Sequence, residues 1–253
     1  MEKYRKFSEL LLQSQYAVVL TGAGISVESG IPDFRSKDGL WSRYDPLEYA
    51  YIDSFRANPG KVWKMLVEMD KLFAKANPNA AHRAIGKLEN FGIVKMVVTQ
   101  NIDSLHQRGG STNVVEFHGH FRSLHCDRCS KMYQRAEVVF DALPPLCSCG
   151  GPLRPDIVFF GEGIPSEAYT RAVGAAGKCD LMLVVGTSAS VAPASELPRI
   201  AKRRGAQLLE INPVASELSG HFTDVHIMEP AGRALNNILD NVQLLVHTQR
   251  EVN

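Results

Sequence analysis

The chain has almost no net charge: 28 basic residues stand against 27 acidic ones, a formal balance of +1 at pH 7. Holding a polyanion by counterion release needs a surplus of Lys and Arg, so direct nucleic-acid binding is not expected. The basic run Lys202-Arg203-Arg204 ends a predicted helix, where it complements the helix dipole. Long apolar runs are also missing. No segment approaches the roughly 20 apolar residues of a membrane helix, and the opening MEKYRKFSEL lacks the apolar core of a signal peptide. The expectation is a cytoplasmic protein with no membrane contact. Cysteine is scarce and uneven, with four of the five residues between positions 126 and 149. In a chain of 253 residues that is no disulfide framework, and it points to a metal.

What is present is alternation. Short β-rich runs at 16–20, 93–99, 113–117, 180–186, 206–211 and 224–228 are separated by helical patterns near 2–13, 78–90, 165–177, 194–204 and 231–246. This predicts an α/β fold: a Rossmann-like parallel sheet domain with a smaller inserted domain made of a zinc ribbon and a helical module. The sheet domain is expected over 1–35, 77–118 and 155–253. The segment 36–76, with a helix around PGKVWKMLVEMDKLFAK, forms the helical insert, and 119–154 the ribbon.

Cys126-Asp-Arg-Cys129 and Cys147-Ser-Cys149 have close to the two-knuckle spacing in which a tetrahedral zinc ion gathers four thiolates. Four protein ligands leave no position for water, so one structural zinc is expected. His125 is an alternative ligand. Cys179, beside a core strand, reads as a small buried apolar residue.

AVVLTGAGISVESGIPDFR, residues 17–35, opens as a phosphate-binding turn with Gly22 and Gly24 but has Val27 where a dinucleotide-binding dehydrogenase carries a third glycine. No second strand with a ribose-binding acid follows about 20 residues later either. Both absences argue against hydride transfer. The two glycines are expected to let backbone N–H groups reach a pyrophosphate at a helix N-terminus, with the Ser26 hydroxyl beside them. Gln100, Asn101 and Asp103 follow a buried strand, where open α/β sheets bind ligands. Their amide and carboxylate groups suit recognition of a carboxamide, and helix capping is the alternative for Asn101 and Asp103.

TGAGIS, GIPDFR, TQNIDSLH, FHG, the paired cysteines, PDIVFFGE and GTSASVAPA, in this order and spanning nearly the whole chain, resemble the sirtuins, NAD-dependent protein lysine deacylases. The resemblance implies that NAD meets Gly22, Ala23, Gly24, Ser26, Asp33, Phe34, Arg35, Gln100, Asn101, Ile102 and Asp103. It implies Gly186, Thr187 and Ser188 at phosphate and ribose, and Asn212, Pro213, Val214 and Ala231 around the adenosine. Phe34 would shield the reacting sugar carbon; without the resemblance it reads as core packing.

Catalysis is implied for His118 as general base and for Asn101 in the nicotinamide pocket. The acyl oxygen would displace nicotinamide from the sugar carbon, and His118 would then activate the ribose 2′-hydroxyl toward the resulting imidate. Products would be lysine, nicotinamide and 2′-O-acyl-ADP-ribose. An acylated peptide would lie as an added strand between Val158, Phe159, Gly161 and Glu162 on one side and Val191 on the other. The residues alone allow DIVFF as an edge strand of the main sheet. Leu66 and Met69 occupy positions where desuccinylating sirtuins place a Tyr and an Arg, so an apolar acyl pocket is implied. An NAD-dependent ADP-ribosyltransferase is the alternative activity, and a non-enzymatic NAD sensor a further one.

Overall fold

The computed structural model describes residues 2–252. Its strands are β1 (Ala17–Thr21), β2 (Val94–Thr99), β3 (Val114–Glu116), β4 (Gly119–Cys126), β5 (Met132–Gln134), β6 (Leu153–Ile157), β7 (Leu181–Val185), β8 (Gln207–Ile211) and β9 (Val225–Ile227). Six of them form a parallel sheet in the order β3-β2-β1-β7-β8-β9. Every residue of β1 and β7 is buried. Runs such as AVVLT and LMLVV form strands because their branched side chains pack on both faces of a sheet covered by helices.

One face packs against helices Glu2–Gln13, Ala80–Asn90 and Ala231–Val252 through Phe7, Leu11, Ile85, Leu88, Leu235 and Ile238. The other packs against Ser166–Lys178 and Glu196–Arg203 through Ala172, Ala176, Leu197 and Ala201. All six strands and five helices fall where the alternation predicts, with ends shifted by a few residues.

A second sheet, antiparallel in the order β5-β4-β6, belongs to a smaller lobe. Its core joins Trp63, Leu66 and Phe55 of the helical segment to Phe121, Leu124, Cys126 and Leu153 of the cysteine module. The indole N–H of Trp63 ties the two by donating to the Leu153 carbonyl at 2.7 Å. The edge-strand alternative for DIVFF is corrected here: Leu153–Ile157 pairs with Gly119–Cys126 in the small sheet, and Phe159 packs in the small lobe's core. No helix among the described residues is long and apolar enough to cross a membrane.

Candidate active site

A cleft of about 610 Å³ opens between the two lobes at the carboxyl ends of the parallel strands. The strand order reverses direction between β1 and β7, and the loops after these strands meet at its floor. They meet so closely that glycine is required: a Cβ on Gly22 would lie 2.7 Å from the Thr187 side chain, and one on Gly24 2.8 Å from the Gly186 Cα. Gly186 itself has φ +60°. The Gly22 N–H donates to the Val185 carbonyl at 3.1 Å and the Gly24 N–H to the Gly186 carbonyl at 2.8 Å, so neither is open to a phosphate. Gly22 leads directly into a short 3₁₀ helix, Ala23–Ser29, that includes Gly24. Val27 is 47% exposed at its outer side, so no third glycine is needed for close packing.

Behind the turn, the ends of β1 and β2 carry a connected polar group. The Asn101 amide nitrogen donates to the Gly22 carbonyl and to the Ser26 hydroxyl, both at 3.1 Å. Ser26 donates to Asp103 Oδ2 at 2.7 Å. With its nitrogen committed, Asn101 has its carbonyl oxygen left to offer a ligand. Asp103 Oδ1 also accepts the Leu105 N–H at 2.9 Å, so the capping alternative holds for Asp103, while the Asn101 side chain caps nothing. Burial pushes the Asp103 carboxyl above the ordinary aspartate value, and its Leu105 and Ser26 bonds pull the other way. Gln100 Nε2 donates to Thr187 Oγ1 at 3.0 Å, linking the β2 and β7 loops.

His118 lines this cleft just before β4. Its Nδ1 lies 3.0 Å from the Gln100 carbonyl. A carbonyl only accepts, so Nδ1 carries the proton and Nε2 is the basic nitrogen. Burial pushes the imidazole below the ordinary histidine value, with the Gln100 bond acting against it. Two other histidines are engaged elsewhere. His106 bonds Thr21 at 2.9 Å, and His226 the Asn212 carbonyl at 3.1 Å.

The loop holding Asp33, Phe34 and Arg35 forms the rim. Asp33 caps the Ser36 N–H at 2.8 Å, Arg35 donates to Ser188 at 2.9 Å, and Phe34 stacks at 5.1 Å on Trp41. The opposite wall is apolar, made by Leu40, Met65, Leu66, Met69, Leu72 and Phe73. Sequence reasoning singled out Leu66 and Met69 but missed Leu40, and missed Met65, Leu72 and Phe73, whose signal was the apolar face of the helix Pro59–Lys75. Val158, Phe159, Gly161, Glu162 and Val191 all line the cleft, as do Ala23, Ile102, Thr187, Ser188, Asn212 and Val214. Pro213 and Ala231 do not, although both adjoin elements that reach it.

The four cysteine sulfurs lie within 4.8 Å of one another. Cys126–Cys149 and Cys129–Cys149 are 3.5 Å apart and Cys129–Cys147 3.7 Å. A tetrahedral ion with Zn–S bonds of about 2.3 Å needs sulfur separations of about 3.8 Å, so the cluster fits zinc. His125 is turned away, its Nδ1 2.5 Å from Asp156 Oδ1, which removes it as a rival ligand. Cys179 is buried in the sheet core, its thiol pushed up to about 12 by burial.

A cleft at the strand-order reversal of a parallel sheet, floored by paired glycine loops and holding one buried basic imidazole, defines a dinucleotide-binding α/β protein equipped for proton transfer. Residues 22–193 match the model of the Sir2 family, and the chain belongs to that family. It is 46% identical over 250 residues to NAD-dependent protein deacylase 2 of Archaeoglobus fulgidus, covering 96% of this chain and 98% of the relative. It is 43% identical to the NAD-dependent protein deacetylase of Thermodesulfovibrio yellowstonii, covering 96% of each. Among solved structures, a Sir2 protein with a p53 peptide and NAD+ matches with a TM-score of 0.88 at 36% identity, over 96% of this chain and 99% of that one.

Proposed function

We propose that this protein is an NAD-dependent protein lysine deacetylase or deacylase, working in the cytoplasm on acylated proteins without direct contact to nucleic acid. When bound, NAD would supply an activated ribose carbon for the acyl oxygen to attack as nicotinamide leaves, and a 2′-hydroxyl that finally carries the acyl group; with one water consumed, the products are free lysine, nicotinamide and 2′-O-acyl-ADP-ribose. The observation that carries this reading is His118 in the cleft, its Nδ1–H fixed by the Gln100 carbonyl. That bond aims a neutral imidazole with Nε2 ready to take a ribose hydroxyl proton. Asn101 offers its carboxamide oxygen where nicotinamide would sit, held by Gly22 and Ser26. Phe34 and Arg35 on the rim exclude water from the sugar, and Gly186, Thr187, Ser188 and Asn212 take the adenosine half.

An acyl-lysine peptide lies along Val158–Glu162 and Val191, its acyl chain against Leu66 and Met69. Cys126, Cys129, Cys147 and Cys149 hold one zinc ion, which braces the small lobe and takes no part in the reaction. The test is an acetyl-lysine peptide with NAD labelled in its adenylate. Label released as acyl-ADP-ribose, with free lysine formed in equal amount, supports deacylation; label retained on protein points to ADP-ribosyl transfer.

A further inference from the structure

Arg154 stands in β6 opposite His125, next to the Cys126–Leu153 pair. Its side chain is only 5% exposed, and a guanidinium at that depth needs matched acceptors. Its fork closes on the Glu162 carboxylate at 2.8 and 2.5 Å, and it also donates to the Ile157 carbonyl at 3.1 Å. The group lies 4.9 Å from the Phe159 ring centroid. Asp127, directly after Cys126, lies 3.7 Å from it on the other side.

Glu162 carries this hold into the loop. Its carboxylate accepts the Phe159 N–H at 3.0 Å, and its own N–H donates to the Phe159 carbonyl at 3.1 Å. Gly161, at φ +88°, makes Phe159–Glu162 a tight turn closed twice through one residue. The residue before the turn and the turn's second residue are tied separately. Val158 N–H donates to the His118 carbonyl at 2.9 Å, and Phe160 bonds Ala50 and Ile52 at 2.9 and 3.0 Å. Arg154 therefore fixes the Glu162 end of the turn, from a position that also contacts the cysteine knuckle.

We propose that Arg154 is a positioning residue for the peptide substrate: through Glu162 it holds the Phe159–Glu162 turn in its binding shape and ties that shape to the cysteine knuckle. The inference rests on the deacylase reading above. Arg154 touches no reacting atom. Lysine cannot replace it, because a single ammonium has no planar fork to hold both carboxylate oxygens and the Ile157 carbonyl together.

The test is steady-state kinetics of full-length Arg154→Lys and Glu162→Gln with an acetyl-lysine peptide and NAD, alongside metal content. In Arg154→Lys the KM for peptide should rise about 10-fold or more, since small misplacements of a substrate-positioning group cost that much. The KM for NAD and kcat at saturating peptide should stay within about 2-fold, as for loss of uniform binding, with the metal retained. Glu162→Gln keeps one oxygen for Arg154 and the Phe159 N–H but sets an amide NH2 against the other guanidinium nitrogen, so the same parameter should rise as well; it decides the matter if the lysine variant fails to fold. A peptide KM unchanged in the folded variants, or a KM for NAD rising in step with it, overturns the inference and leaves deacylation standing. A wild-type protein that does not turn the peptide over overturns both.

Discussion

One wall of the cleft is made of strand-end groups bonded to one another: Ser26 to Asp103, Asn101 to Gly22, Gln100 to Thr187, His118 to Gln100. The other is a layer of Leu, Met and Phe side chains from residues 40–73. The polar wall orients a ligand through directed hydrogen bonds and rests on a sheet with cores on both faces. The apolar wall selects by size and desolvation, and rests on a core that includes two of the four clustered cysteines. Recognition by direction is thus built on the fold's most buried strands, and recognition by shape on a lobe built around the four-cysteine cluster.

Removing the metal should break the comparison hardest. Structural zinc in small modules contributes on the order of 10 kcal/mol to their folding. Chelation should therefore lower the small lobe's melting transition in calorimetry and abolish turnover, while the transition of the parallel sheet persists. A metal-free protein with unchanged melting and activity would contradict the dependence.

His118→Ala attacks the polar wall. Deacylation should fall about 10²–10⁴-fold, the usual worth of a general base. Exchange of labelled nicotinamide into NAD should fall less, because nicotinamide leaves before the base acts. His120→Ala should stay near wild type. The neutral imidazole is the active form, and burial holds the pKa of His118 below the ordinary value. Activity should accordingly survive at pH 6.5 and decline only as more acid conditions protonate it, whereas an ordinary histidine, of pKa about 6.5, would already be half protonated. A rate that halves by pH 6.5 would oppose this assignment.

The smallest effect sharpens the apolar wall. Succinyl-lysine should turn over at least about 10-fold more slowly than acetyl-lysine, because Leu66 and Met69 offer no partner for a buried carboxylate. Equal rates on matched peptides would mean that the acyl chain lies elsewhere.

The two walls also differed in how far they could be read from residues alone. The polar wall was legible because its members follow strands in short contiguous motifs. The apolar wall was mostly not, since Met65, Leu72 and Phe73 lie on a helical stripe that looks like any core-facing helix. Strand positions followed from apolar runs, but not their order, which depends on contacts far apart in sequence. The bonds of the Gly22 and Gly24 amides were hidden for the same reason. Their acceptors, Val185 and Gly186 at the end of β7, lie some 160 residues along the chain, and no local pattern announces them. DIVFF was ambiguous because a short apolar run does not reveal which sheet it joins.

The chain has two tryptophans, and they fall on opposite sides of this division of labour. Trp41 is half-buried on the cleft lining beside Phe34, while Trp63 is fully buried where the helical segment meets the cysteine module. The molecule thus contains two intrinsic fluorophores, one reporting ligand entry and the other the integrity of the small lobe. Replacing either with Phe would isolate the other's emission, so occupancy and metal-dependent folding could be followed optically in one cuvette without a label.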